Sequence, residues 1–88
     1  MSLKLPMICV ANQVVYRDVN LGDQTIGSGG YLNIASYKPT VSGKTCRLAA
    51  IQNWGSSSST VGVNATGEWL MGTTGNKITN LTIRYYFW

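Results

Sequence analysis

The C-terminal run Lys77–Trp88 (KITNLTIRYYFW) constrains this chain more than any other stretch, because Leu81, Ile83, Tyr85 and Phe87 alternate with Asn80, Thr82, Arg84, Tyr86 and Trp88. A period of two puts these sets on opposite faces of a β-strand. One face is core; the other mixes polar groups with two large aromatics. Apolar residues at the i, i+3, i+4 and i+7 spacing of an amphipathic helix are missing elsewhere, while Gly, Ser, Thr and Asn abound. Strands must therefore carry the fold.

The rest of the chain divides in the same way. Residues 7–19 (MICVANQVVYRDV) are rich in β-branched and aromatic types and read as a strand, broken near Ala11-Asn12, with Asn20-Leu21-Gly22-Asp23 as the turn that follows. A second strand is expected from about Thr25 to Ile34, with Ser28-Gly29-Gly30 as a bulge or tight bend inside it. Ser36-Tyr37-Lys38-Pro39 punctuates, since Pro39 cannot donate to a ladder and pushes Lys38 toward an extended conformation. In residues 45–54, alternation puts Cys46, Leu48, Ala50, Gln52 and Trp54 on one face and Arg47, Ala49, Ile51 and Asn53 on the other. Gly55 and Ser56–Ser59 read as a flexible loop at one end of the fold. Short strands are expected at Thr60–Asn64 and Glu68–Met71 around the turn Ala65-Thr66-Gly67, and Gly72–Asn76 turns into the last strand. Six or seven short strands at intervals of about ten residues describe an all-β domain, a small antiparallel β-sandwich or barrel.

With 88 residues there is room for one domain, over 7–88, preceded by a lead-in at 1–6 in which Met1, Ser2 and Leu3 read as a remnant of expression. Hydrophobic residues make up 44% and charged ones 11%, against a usual charged share of about 25%, which excludes disorder and a coiled coil. No stretch approaches the roughly 20 apolar residues of a membrane span, and a signal peptide's charged start and apolar run are lacking. The sequons at Asn64 and Asn80 read as chance matches in Asn- and Thr-rich strands. A core of this size stands near the lower limit of self-sufficiency, so oligomerisation is the expected staple, with the face of Arg84, Tyr86 and Trp88 as its interface.

Little in the sequence supports catalysis. There is no histidine to serve a nucleophile, and the acidic inventory is Asp18, Asp23 and Glu68, too thin for a glycosidase pair. Gly27-Ser28-Gly29-Gly30 lacks the Lys-Ser/Thr ending of a phosphate loop. Cys9 and Cys46 match no zinc or redox spacing; one bridge between them is an open alternative, and their apolar settings favour buried free thiols over it. The basic residues Lys4, Arg17, Lys38, Lys44, Arg47, Lys77 and Arg84 are dispersed, so the net charge of +4 reads as a solvated surface and not a nucleic-acid stripe. No cofactor is implied. Binding fits better: Trp54 at the mouth of the Gly-Ser loop and Trp69 just after a turn are candidate stacking platforms, with Asn53, Asn64, Asn76 and the serines 56–59 as adaptable hydrogen-bonding groups.

Read in order, Val14-Val15-Tyr16, Gly30-Tyr31-Leu32-Asn33-Ile34, Ser36-Tyr37-Lys38-Pro39, Leu48–Trp54 and Asn80-Leu81-Thr82-Ile83-Arg84-Tyr85-Tyr86 form a succession. It resembles the small C-terminal head domains of bacteriophage tail-fibre and baseplate receptor-binding proteins. The resemblance spans nearly the whole chain from about residue 8 and rests on order and spacing, each motif being mostly strand and turn grammar. It implies a jelly-roll-like sandwich, a homotrimer, a place in the virion and attachment to a bacterial surface glycan or protein, and it carries over no binding residue by position. The ligand-facing residues expected from the sequence are Trp54, Asn53, Asn64 and Trp69. The competing expectations are a monomeric carbohydrate-binding module stacking sugars on Trp54 or Trp69, and a structural virion component with no ligand.

Overall fold

The computed structural model describes residues 13–57 and 60–88. Cys9, Met1–Leu3 and the expected break at Ala11-Asn12 lie outside them. Among the described residues seven strands run, β1 (Val15–Thr25), β2 (Tyr31–Asn33), β3 (Cys46–Asn53), β4 (Ser56–Ser57), β5 (Gly62–Val63), β6 (Trp69–Met71) and β7 (Lys77–Phe87), with short 3-10 turns at Ser28–Gly30 and Ala35–Tyr37. They form two antiparallel sheets in a β-sandwich-like arrangement. In the large sheet β7 lies between β1 and β3, with β4 continuing the β3 side; in the small sheet β6 lies between β2 and β5.

The C-terminal alternation holds residue for residue. Ile78, Leu81, Ile83 and Tyr85 are fully buried and Phe87 nearly so, in one core cluster with Ile26, Ile34, Val61 and Leu70. Each such side chain gains about 1.5–3 kcal/mol from leaving water, so this face fixes the register of the strand.

Three expectations are corrected. Asn20–Asp23 is not a turn: β1 runs through it, with register slips around Gly22 against Leu81 of β7. The turn-forming residues serve a bulge instead. Gly22 takes φ +69°, its N–H donates to Asn20 Oδ1 at 2.8 Å, and Asp23 Oδ1 accepts from the N–H of Asn80, itself at φ +50°. The strand expected over Thr25–Ile34 shrinks to Tyr31–Asn33, because Ile26–Gly30 forms a loop in which Ile26 N–H bonds Asn76 and Gly27 N–H bonds the carbonyl of Tyr31. That expected over Thr60–Asn64 shrinks to Gly62–Val63.

The face assignment in residues 45–54 also changes. Cys46 stands opposite Phe87 and Leu48 opposite Tyr86, so the extra residue at Arg47 flips the alternation. Ala49 is buried, Cys46 and Ile51 pack against the core, and Leu48 turns outward at 44% exposure. Cys46 is a free thiol, half-buried rather than buried.

Candidate functional site

The outer faces of the two sheets each carry exposed aromatic residues brought together by pairing register. On the large sheet the strands align Tyr16, Tyr86 and Leu48 in one row, Asp18, Arg84 and Ala50 in the next, and Asn20, Thr82 and Asn53 in the third. The first row is apolar: Tyr16 and Tyr86 pack with ring centroids 6.1 Å apart, and exposed Val14 and Trp88 extend it. The second row is internally neutral, since Arg84 Nε and Nη2 donate to the two oxygens of Asp18 at 2.8 and 3.0 Å. Those hydrogen bonds hold the Asp18 carboxyl below its ordinary range, against the opposing effect of desolvation. The guanidinium also lies 4.1 Å from the Tyr16 ring centroid. The third row is amide and hydroxyl, with Asn20 Nδ2 donating to Asn80 Oδ1 at 2.8 Å. The expected interface residues Arg84, Tyr86 and Trp88 thus share one face, Arg84 being committed to Asp18 and stacked on Tyr16, and Trp88 lying beside Arg47.

The small sheet presents a different surface. Tyr31 pairs with Met71, Leu32 with Leu70, and Asn33 with Trp69. Leu70 and Leu32 point to the core, so Tyr31, Met71, Asn33 and Trp69 share the outer face. Tyr31 and Trp69 are 55% and 42% exposed and meet edge to face, centroids 6.2 Å apart at 79°. With Ser28, Asn64 and Met71 they line a groove of about 450 Å³.

Hydrogen bonds in the adjoining hairpin hold that groove. Asn64 Oδ1 accepts from the N–H of Trp69 at 2.9 Å, and its amide donates to Glu68 Oε1 at 3.0 Å. Glu68 also accepts from the Thr66 hydroxyl and from Lys38 Nζ, the latter at 2.5 Å. These donors, Lys38 first, then Thr66 and Asn64, lower the Glu68 carboxyl from 4.5 to about 2. Gly67, at φ +84°, turns the hairpin against the core: a Cβ there would lie 2.6 Å from Tyr85 Cε2 and 3.0 Å from Ala49 Cβ. Tyr85 is fully buried, and its hydroxyl has no hydrogen-bond partner among the described residues. Desolvation raises that phenol to about 12.

The expected ligand-facing residues separate. Trp69 and Asn64 line the small-sheet groove, where Asn64 acts as a brace for the hairpin. Trp54 and Asn53 instead line a shallow, more polar depression of about 320 Å³ with Ile51 and Gln52. The two tryptophans form no common platform. Sequence reasoning missed Tyr31, Ser28 and Met71; the findable signal was the pair of triplets Tyr-Leu-Asn and Trp-Leu-Met, each with an inward leucine between outward residues. No group of acidic or cysteine residues among the described ones is arranged to hold a metal ion. No helix among the described residues is long and apolar enough to cross a membrane. No protein-family model, curated protein or solved structure matches the chain.

Proposed function

We propose that this chain is a non-enzymatic, phage fibre-like head domain that assembles as a homotrimer and binds a receptor on the bacterial surface, a glycan or a protein. The observation that carries this reading is the presence of two exposed aromatic surfaces on opposite sides of one small sandwich. The row Tyr16, Tyr86 and Leu48, with Val14 and Trp88, is apolar and lies next to an ion pair that neutralises itself, which suits burial against another copy of the chain. The Tyr31–Trp69 groove on the other side then stays open to a receptor.

Light scattering behind a sizing column, over a dilution series, tests the assembly. A species of three chains that persists on dilution is expected, and Tyr16→Ser with Leu48→Ser should shift it to one chain. A persistent monomer in the unaltered protein would overturn the interface and favour the carbohydrate-binding-module reading, which the Tyr31–Trp69 groove also supports. Pull-down on bacterial envelopes tests the receptor; failure across Gram-negative and Gram-positive panels would overturn receptor binding.

A further inference from the structure

We infer that the groove between Tyr31 and Trp69 is a saccharide site, and that its ligand is an uncharged mono- or disaccharide unit of a surface glycan. The inference rests on the receptor-binding reading and gives it a place and a chemistry. Its volume of about 450 Å³ falls within the roughly 300–1,000 Å³ of small-ligand sites.

A pyranose is amphipathic, with an apolar C–H face and a rim of hydroxyls, and the groove matches both parts. The two rings stand nearly perpendicular, so one serves as a platform for the C–H face while the other walls the site, and Met71 adds adaptable apolar surface. The hydroxyls of Ser28 and Tyr31 and the indole N–H of Trp69 make no hydrogen bond to the described residues, which leaves them for a polar ligand.

Charge decides the ligand class. None of Ser28, Tyr31, Asn64, Trp69 and Met71 carries a formal charge. The nearest ionic pair, Lys38 and Glu68, is spent on itself. An anionic sugar would find no cation to pair with among these lining residues, although the chain as a whole is basic.

The site is also preorganised. Trp69 is anchored through its backbone by Asn64, Asn64 and Thr66 are tied to Glu68, and the Tyr31 end is pinned by Gly72 N–H to the Gly30 carbonyl at 2.9 Å and by Gly30 N–H to the Thr74 hydroxyl at 3.1 Å. Rings exposed on a rigid frame lose little freedom when a ligand arrives.

The test is a titration followed by tryptophan fluorescence and amide chemical shifts, using lactose, maltose and N,N′-diacetylchitobiose against sialyllactose. Saturable binding of at least one neutral disaccharide is expected, tighter than that of sialyllactose. Trp69→Ala and, independently, Tyr31→Ala should each weaken it about tenfold or more, a change of about 1.4 kcal/mol, with Trp54→Ala unchanged. Dispersed amide spectra establish that each variant is folded; Tyr31, the more exposed, keeps the test usable should Trp69→Ala unfold. No response to any neutral disaccharide, or loss of binding in Trp54→Ala but not in the groove variants, would overturn the site. Envelope binding that protease abolishes and disaccharides do not inhibit would overturn the site while leaving receptor binding intact. Disaccharide binding without envelope binding would uphold the site and defeat the receptor reading.

Discussion

In the large sheet, β7 has partners along both edges and a continuous inward face of Ile78, Leu81, Ile83, Tyr85 and Phe87, whereas the small sheet consists of strands of two or three residues. So few ladder bonds cannot set the shape of the small sheet alone. Its geometry comes from the Asn64–Thr66–Glu68–Lys38 network and from Gly67 seated on Tyr85. The long strands are set by burial over many residues, whereas the short ones rest on the buried Leu70, with Leu32 and Val63 packed beside it, together with the hairpin's side-chain hydrogen bonds, and the open groove sits next to those hydrogen bonds.

The largest expected effect lies where the two regions meet. Gly67→Val combines a side chain at positive φ with a clash against Tyr85, and should cost about 3 kcal/mol in urea unfolding. A near-neutral result would mean that the hairpin can lift off the core, and would break the comparison.

Next is Glu68→Gln, which weakens the network while leaving the core untouched. Because this side chain is a third exposed, a loss of about 1 kcal/mol at neutral pH is expected. The folded carboxyl is lowered from 4.5 to about 2, so its contribution is present above pH 4.5 and is lost as pH falls toward 2. Denaturation midpoints measured across that window should fall more steeply for the unaltered protein than for the variant; parallel curves would show that the network does not hold the hairpin.

Tyr85→Phe probes the other side of the junction by removing a buried hydroxyl that lacks a partner among the described residues. It should be neutral or stabilising by up to about 1 kcal/mol, and a clear loss would reveal a partner for that oxygen. Smallest in stability is Leu48→Ser on the outer face, expected to change monomer unfolding by no more than about 0.5 kcal/mol while weakening self-association seen by sizing.

Legibility in the sequence followed the same division. The alternation of Leu81, Ile83, Tyr85 and Phe87 was plain because burial of a long strand imposes a strict period of two. Asn20–Asp23 misled because Asn, Gly and Asp satisfy a bulge by the same local hydrogen bonds that make a turn. Cys46 left the face of Leu48 and Ala50 and joined Ala49 and Ile51 because one extra residue at Arg47 resets the alternation, and only the partner strand registers it. Trp69 was identified as a candidate, but Tyr31 was not, since the strand holding it is three residues long and carries almost no periodic signal.

By itself the sequence determined that strands build this protein, that β7 is its spine, and that it has no histidine for catalysis. Those properties follow from local chemistry and from a periodicity that burial enforces. Tertiary structure decided which edge β1 and β3 occupy beside β7, that Tyr16, Tyr86 and Leu48 form one row, and that Trp69 meets Tyr31 and stays apart from Trp54. These depend on pairing between residues distant along the chain, and such contacts are fixed only when the two sheets close on a common core.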